Sequence, residues 1–309
     1  MNMLKYSIFG KSVNEKGKAR CGDYFCYCEL KDEGIIVLSL ADGVGSRHYD
    51  DIASQTGCDA FTGSFCNNRA NDLSQRFEAA IRDADKQVSN PLDSSHRGMM
   101  CTFTGIAWDV TENLIRYCSI GDSRIYRYSS PGMIQTSKDS KKAVLMRDQS
   151  GKLLIQSGVL VIREGLTNAL GYGGAEIAIH QEEFNPGEAF ILCSDGMYNL
   201  PGFEQLLSES MLGMELEKSM EKFVIKNQEY YNDDASILVI RRSDQPENYR
   251  EFYDKTISES TDYRQHHILA HLMTGYIQLE ILSLIDLHDM EKIRQYTDCL
   301  LYTSDAADE

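Results

Sequence analysis

Residues 35–43 read IIVLSLADG, an apolar run that ends in an aspartate and a glycine. The apolar run that follows Gly34 has the length and the β-branched content of a buried strand. It stops at Asp42-Gly43, so a carboxylate lies directly beyond the apolar segment. Glycine after the aspartate permits a sharp turn and a close approach of its own carbonyl oxygen. The pattern predicts a buried strand that carries an acidic residue at the rim of a sheet.

Three more apolar segments carry an aspartate at one end. The segments with their acidic neighbours are LIRYCSI (114–120) before Gly121-Asp122, AFILCS (189–194) before Asp195-Gly196, and SILVIRR (236–242) after Asp233-Asp234. One Asp-Gly pair alone is usually a turn, but four such strand ends predict carboxylates that converge at one rim. Crowded carboxylates repel one another. A divalent cation with oxygen ligands, Mg²⁺ or Mn²⁺, is the usual remedy.

The rest of the chain alternates between short strands and helices. Apolar spacing predicts helices over 51–66, 72–88 and 214–231 and strands over 102–110 and 125–130. Residues 133–165 are polar and lack a clear period, which predicts a mobile loop region or a small subdomain.

The C-terminal part has a different composition. Residues 243–265 are polar and linker-like, whereas 266–298 are dense in apolar residues and predict one or two helices, packed on the core or on a partner. The last ten residues, LLYTSDAADE, fit nothing before them. They are native sequence or non-native sequence at a truncated end, and they carry no functional weight.

Composition narrows the class of protein. The chain has 309 residues with 42% hydrophobic residues and a formal net charge of −16. This acidity argues against binding to nucleic acid or to an anionic membrane through charge. Without a signal peptide or an apolar run of about 18 residues, the sequence predicts a cytoplasmic protein. Its nine cysteines, an odd number without zinc-knuckle spacing, are interpreted as reduced core residues.

Five segments together resemble the successive motifs of the metal-dependent protein phosphatases, the type 2C serine/threonine phosphatases, in their bacterial form. The segments are ADGVGS, SIGDSRIYRY, LTNALG, ILCSDGMYN and DDASILVI. They occur in the family's order and span about residues 10–242. The resemblance implies an α+β fold over 1–242, a four-layer αββα sandwich of two antiparallel sheets flanked by helices. Residues 133–165 would then be a flap-like variable region, and 243–309 a linker with a helical extension.

The resemblance also assigns roles to the acidic positions. It implies two Mn²⁺ or Mg²⁺ ions per site, with a weaker third ion, and a catalytic water activated between the first two. Asp42 resembles the carboxylate that bridges both ions, and Gly43 the residue that offers a backbone carbonyl. The other implied ligands are Asp195 and Asp233 for the second ion, Asp122 for the third ion, and the early Asp23.

The cation that would hold the substrate phosphate lies in a shortened motif, GKARCGDYF. Arg20 is the best match for the family's catalytic arginine, and Lys18 is the alternative. A forked guanidinium contact to phosphate oxygens is one that a lysine point charge does not reproduce.

The function implied is hydrolysis of phosphoserine and phosphothreonine in a phosphorylated protein, the target of a serine/threonine kinase, in signalling. The alternative is a weak or inactive member of the same fold that acts as a regulatory binding module, which the shortened motif before Asp23 favours. A cysteine-dependent phosphatase is disfavoured because Cys101 and Cys193 lack a phosphate-cradling loop. No GxGxxG, GKS/T or EF-hand pattern supports a nucleotide-binding enzyme or a calcium-binding protein.

Overall fold

The computed structural model describes residues 6–45, 49–70, 72–129, 132–148, 150–156, 159–212 and 215–243, with Arg163 described by its backbone alone. By its internal contacts the chain divides between Ser243 and Asp244. The predictions for the linker and the helical extension therefore lie outside the described residues, as does the interpretation of the last ten residues.

Two five-stranded sheets form the framework, and every strand pair within them is antiparallel. Sheet one has the order β1-β14-β13-β6-β7, with β1 Tyr6–Val13, β6 Arg124–Ser129, β7 Gly132–Gln135, β13 Ala189–Cys193 and β14 Ala235–Arg242. Sheet two has the order β12-β5-β4-β3-β2, with β2 Asp23–Leu30, β3 Ile35–Asp42, β4 Phe103–Asp109, β5 Leu114–Ile120 and β12 His180–Glu183.

Two small hairpins lie between β7 and β12. The first pairs β8 Lys141–Leu145 with β11 Ile162–Leu166, and the second pairs β9 Ile155–Gln156 with β10 Val159–Leu160. The described helices are α1 Asp50–Asn67, α2 Leu73–Ser89, α3 Asp195–Tyr198, α4 Phe203–Met211 and α5 Leu216–Asn227, with 3₁₀ turns at Ser94–His96 and Gln228–Tyr230. None of these helices has the length and apolar character needed to span a membrane.

The inner strand β3 is apolar at nearly every position because both of its faces are buried. Ile36, Leu38 and Leu40 belong to a cluster shared with sheet one. Alternate residues such as Val37 and Ala41 belong to a second cluster, formed with α1 and α2. Side chains alternate across a strand, so a strand covered on both faces needs an apolar residue at nearly every position. A third cluster lies between sheet one and α3, α4 and α5.

Most of the predicted elements are confirmed with small shifts at their ends. The cap of α2 is Asp72, whose side chain accepts hydrogen bonds from the N–H groups of Ser74 and Gln75. The segment 133–165 is not structureless, because it contains the strands of the two hairpins and most of β7. The segment predicted as one helix over 214–231 ends in a 3₁₀ turn after Asn227.

The two antiparallel sheets with several helices agree with the α+β class. β1, β2, β12 and the short helices α3 and α4 have no counterpart among the predicted elements. Asp23, the first residue of β2, pairs in register with Asp42, the last residue of β3. This pairing brings the first two acidic residues to one rim of sheet two.

Candidate metal centre

Asp23 is a buried carboxylate that joins the two sheets at their shared rim. Its Oδ2 accepts a hydrogen bond of 2.6 Å from the hydroxyl of Ser194, which follows β13. The same hydroxyl oxygen accepts the N–H of Ser236 on β14, at 2.9 Å. The other oxygen of Asp23, Oδ1, is buried without a hydrogen-bond partner in the described part of the chain. A buried carboxylate oxygen without a donor is costly unless a cation faces it.

Asp42 is fixed through its backbone by the neighbouring segment before β4. Its N–H donates to Thr102 Oγ1 at 2.9 Å, and its carbonyl accepts the N–H of Thr102 at 2.8 Å. The Thr102 hydroxyl also bonds the hydroxyl of Ser123 at 2.6 Å. Ser123 follows Asp122 directly, so one buried threonine connects the backbone segments that carry two of the predicted ligands.

The carboxylates at this rim lie close enough to perturb one another. Burial raises the pKa of Asp42 well above its ordinary value, and the charges of Asp23, Asp195 and Asp122 raise it further. Burial also raises the pKa of Asp195, with added repulsion from Asp122 and Asp233. For Asp23, burial raises the pKa to about 7, against hydrogen bonds that lower it. The charge of Asp42 thus interacts with those of Asp23, Asp195 and Asp122, and the charge of Asp195 with those of Asp122 and Asp233.

Each Asp-Gly pair at the rim is explained by a close backbone approach. A Cβ on Gly43 would lie 2.1 Å from the carbonyl oxygen of Asp50 at the start of α1. A Cβ on Gly196 would lie 2.2 Å from the carbonyl oxygen of Asp234. No side chain fits at either distance, so glycine is required where α1 and β14 meet the rim.

Asp122 connects the rim with the first hairpin. The hydroxyl of Tyr198 donates to its carbonyl at 3.0 Å, and Lys141 Nζ lies 3.8 Å from its carboxylate. Burial raises the pKa of Asp122, and the charge of Lys141 opposes that rise. The N–H of Ser140 donates to the carbonyl of Gly121 at 2.6 Å, which ties the base of β8 to the same turn.

The two candidate phosphate-binding cations differ in their surroundings. Lys18 Nζ donates to Asp234 at 2.5 Å and to Asp50 at 2.9 Å. Burial alone would lower the pKa of Lys18, but these two hydrogen bonds raise it overall. The side chain of Arg20 is 80% exposed and contacts Asp51 at 3.1 Å. Among the described residues Lys18 therefore has two anionic partners, Asp50 and Asp234, whereas the exposed Arg20 has one.

The donor set fits a hard divalent cation. The rim offers carboxylate oxygens, one of them buried without a partner among the described residues, and a glycine next to Asp42. Oxygen ligands of this kind suit Mg²⁺ and Mn²⁺. In the described ranges no three His, Cys, Asp or Glu side chains lie together as a ready-formed metal site. Binding would therefore recruit backbone carbonyls and water beside the carboxylates.

Four residues that support the rim were not assigned these roles from the sequence, namely Thr102, Ser194, Lys141 and Asp234. Asp234 is buried and accepts the N–H groups of Glu15 and Gly22 at 2.7 Å each, as well as the Lys18 ammonium. Its position beside Asp233 and that of Ser194 beside Asp195 were visible signals. Thr102 and Lys141 lie far along the chain from the residues they contact, and only the fold shows those contacts.

Known proteins with similar sequences are serine/threonine phosphatases. The family profile described as "Protein phosphatase 2C" matches residues 10–227. The serine/threonine protein phosphatase PstP of Mycobacterium tuberculosis is 24% identical over 193 residues, which cover 62% of this chain and 37% of PstP. The serine/threonine phosphatase stp of Listeria innocua is 25% identical over 228 residues, which cover 70% of this chain and 87% of stp.

A solved structure shares the fold. The catalytic domain of PstP in complex with two manganese ions has a TM-score of 0.60 and 21% sequence identity, with coverage of 78% of this chain and all of that domain. The chain spans little more than a third of full-length PstP. Because the family profile covers more than two thirds of the sequence, the chain belongs to the protein phosphatase 2C family.

Proposed function

We propose that the chain is a metal-dependent phosphoprotein phosphatase that hydrolyses phosphoserine and phosphothreonine. The observation that carries the proposal is the position of five aspartates, three at strand ends and two at strand starts, at one rim of the two sheets. The names of its relatives, PstP and stp, agree with this activity. A β-sandwich with a purely structural role would gain nothing from clustered carboxylates, because neighbouring negative charges repel one another.

We assign the metal ligands as the sequence predicts them. Asp42 and the carbonyl of Gly43 would hold the first ion, Asp42 with Asp195 and Asp233 the second, and Asp122 a third, weaker ion. Asp23 would complete the site with its unpartnered Oδ1. When bound, Mn²⁺ or Mg²⁺ supplies an activated water nucleophile and neutralises charge on the phosphate. The two manganese ions of the PstP catalytic domain support this assignment.

The protein's own residues orient this centre. Thr102 fixes the Asp42 backbone, and Ser194 fixes the orientation of Asp23 through a hydrogen bond to Oδ2. Arg20 is proposed as the residue that binds the phosphate, because its exposed guanidinium has a single anionic partner in the described part of the chain and is able to reorient. Lys18 is held by Asp50 and Asp234, and in this proposal it fastens the loop before β2 to α1 and β14.

The remaining parts of the proposal concern architecture and substrate. Of the three apolar clusters, one is shared by the sheets and two lie between a sheet and its helices; this supports the four-layer αββα order for a domain over 1–242. Residues 133–165 act as a flap-like region. Residues 132–166 contain six Lys or Arg and three Asp or Glu, a net charge of +3 in a chain of −16, which suits a phosphorylated protein substrate. A cytoplasmic location, a kinase target as substrate and a signalling role stay predictions from the sequence.

The test is hydrolysis of para-nitrophenyl phosphate and of a phosphothreonine peptide, with EDTA, Mg²⁺ and Mn²⁺ in parallel. We expect Mn²⁺-stimulated turnover that Asp42→Ala and Asp195→Ala each abolish while the circular dichroism spectrum stays native. Asp32→Ala is the matched control, because Asp32 is an exposed aspartate at the opposite end of β2. Full activity in either rim variant refutes the assignment. Mn²⁺ binding without turnover in the native chain instead indicates the regulatory binding module.

A further inference from the structure

Four of the nine cysteines lie where β2 packs against α1, away from the aspartate rim. Cys26 and Cys28 are two residues apart on β2, so their side chains share one face of the strand. Cys58 and Cys66 are eight residues apart on α1, about two helical turns, and so share one face of the helix. The two faces meet, because Cys26 contacts Cys58 and Cys28 interacts with Cys66.

Cys26 has an unusually polar setting for a core cysteine. Its Sγ lies 3.0 Å from Thr62 Oγ1, 3.3 Å from Ser39 Oγ and 3.6 Å from the carbonyl oxygen of Cys58. Hydrogen bonding with Cys58, Ser39 and Thr62 outweighs burial and lowers the pKa of Cys26 to about 7. Thiolates are the nucleophilic form of cysteine, so this sulfur is the reactive one of the group.

Cys26 is accessible to solvent and has a second thiol beside it. The side chain is partly exposed, and β2 is the edge strand of sheet two. Cys58 is fully buried beside it, and burial together with the Cys26 sulfur raises the pKa of the Cys58 thiol well above its ordinary value. A low-pKa, accessible thiol next to a protonated second thiol is the arrangement in which oxidation ends in a disulfide.

We propose that Cys26 is a peroxide-reactive modification site that forms a disulfide with Cys58 and so links β2 covalently to α1. The Cys26 thiolate attacks one oxygen of hydrogen peroxide, the O–O bond breaks, and Cys26 sulfenic acid and hydroxide form. The Cys58 sulfur then attacks the sulfenic sulfur, the S–O bond breaks, and water leaves with the thiol proton. In total two thiols are oxidised and one peroxide is reduced to two waters.

The link would join two elements that reach the metal centre. β2 begins at Asp23, and α1 begins at Asp50, which contacts Lys18. A covalent bond between their middles restricts how far α1 can move relative to Asp23. The inference itself concerns the thiols and does not depend on phosphatase activity.

The first experiment maps the bond in the purified full chain after treatment with hydrogen peroxide and alkylation of the remaining thiols. Trypsin alone leaves Cys26 and Cys28 together in residues 21–31, and Cys58 and Cys66 together in residues 48–69. Added chymotrypsin cuts after Tyr27 and Phe61 and so separates Cys26 from Cys28 and Cys58 from Cys66. We expect mass spectrometry to find the Cys26–Cys58 link, reversible by dithiothreitol.

Variants distinguish the reactive thiol from its neighbours. We expect Cys26→Ser to abolish the link and to slow the first peroxide reaction at least tenfold, whereas Cys58→Ser leaves a sulfenic acid at Cys26 that dimedone traps. Cys118→Ser is the matched control, because Cys118 is a buried cysteine on β5 of the same sheet. The proposal is overturned if a Cys28–Cys66 link forms in place of the Cys26–Cys58 link, or if all described cysteines are oxidised equally.

Discussion

Replacing Asp23 by asparagine should stabilise the protein when divalent metals are removed. Asp23 is buried, and one of its oxygens has no partner among the described residues. Its carboxylate also faces the charge of Asp234. Asparagine keeps the shape of the side chain and the acceptor that Ser194 needs. It removes the buried negative charge and adds an N–H donor.

The size of the effect follows from the pKa of Asp23. Burial raises it from 3.8 to about 7 in the folded protein, so the folded state holds the proton more tightly than the unfolded state. Protonation of Asp23 therefore makes its full contribution to the free energy of unfolding below pH 3.8, and this contribution is lost as the pH rises to about 7. At about 1.4 kcal/mol per pKa unit, the loss is about 4 kcal/mol. Asp23→Asn does not titrate and escapes this loss.

The assay is urea unfolding at pH 5 and pH 8, each with EDTA or with Mn²⁺. At pH 8 in EDTA we expect Asp23→Asn to exceed the native chain by up to about 4 kcal/mol, with a smaller gain at pH 5. Mn²⁺ should stabilise the native chain more than the variant, because binding to the folded state adds stability in proportion to affinity. Asp32→Asn should change nothing. If Asp23→Asn is no more stable than the native chain at pH 8 in EDTA, Asp23 does not carry a buried charge and the reasoning fails.

Three further predictions concern the packing and the cations of the rim. Gly196→Ala should cost about 2 kcal/mol or more in urea unfolding and lower turnover, because its Cβ meets backbone; Gly63→Ala, on α1 in open space, should be neutral or stabilising. Thr102→Val should keep the fold at a cost of about 1–3 kcal/mol and lower kcat at least tenfold, because Asp42 loses its hydrogen bond; unchanged kcat would contradict a positioning role. Arg20→Ala should raise KM for a phosphopeptide without loss of stability, whereas Lys18→Ala should destabilise the fold because Asp234 loses its cation; the reverse pattern would exchange their roles.

The sequence predicted the buried strands well and the edge strands poorly, for one physical reason. β3 is buried on both faces, so nearly every residue had to be apolar and the run was evident. β12, which runs from His180 to Glu183, pairs with β5 alone among the described strands, and most of its side chains are exposed. β2 lies at the other edge and is mostly half-buried. A strand without a buried face shows no alternation of apolar and polar residues from which it could be predicted.

The variable region illustrates the same limit on prediction. The hairpins over 141–166 have mostly exposed side chains, Ile155 and Val159 among them. Their strands are held by backbone pairing, such as that of Leu145 with Ile162. No buried face imposes an alternation on the sequence, so the residues do not reveal the strands.

The sequence predicted the site residues that lie next to strand ends, but not those whose place depends on contacts between residues far apart in the chain. Asp42, Asp122 and Asp195 each follow an apolar run, and this position alone placed them at a rim. Lys18 and Arg20 are two residues apart in one loop, and their spacing does not show which one turns inward. The ion pair of Lys18 with Asp234 spans 216 residues, and only the completed fold brings the two together.

Strand direction explains why aspartates so far apart in the chain reach the same rim. Neighbouring strands run in opposite directions, so one rim of an antiparallel sheet receives the end of one strand and the start of the next. In sheet two, β3 and β5 are both antiparallel to β4, so both end at the rim where β2 begins. In sheet one, β13 ends where β14 begins.

The five aspartates at the rim all fit this alternation of strand ends and strand starts. Asp42, Asp122 and Asp195 come at or after strand ends, whereas Asp23 and Asp233 come at or before strand starts. The hydrogen bond from Ser194 to Asp23 then joins the rim of one sheet to the rim of the other. A parallel arrangement of the same strands would place Asp23 and Asp233 at the opposite edge from the other three. The positions of the five aspartates therefore carry information about strand direction as well as about metal binding, and the two kinds of evidence agree.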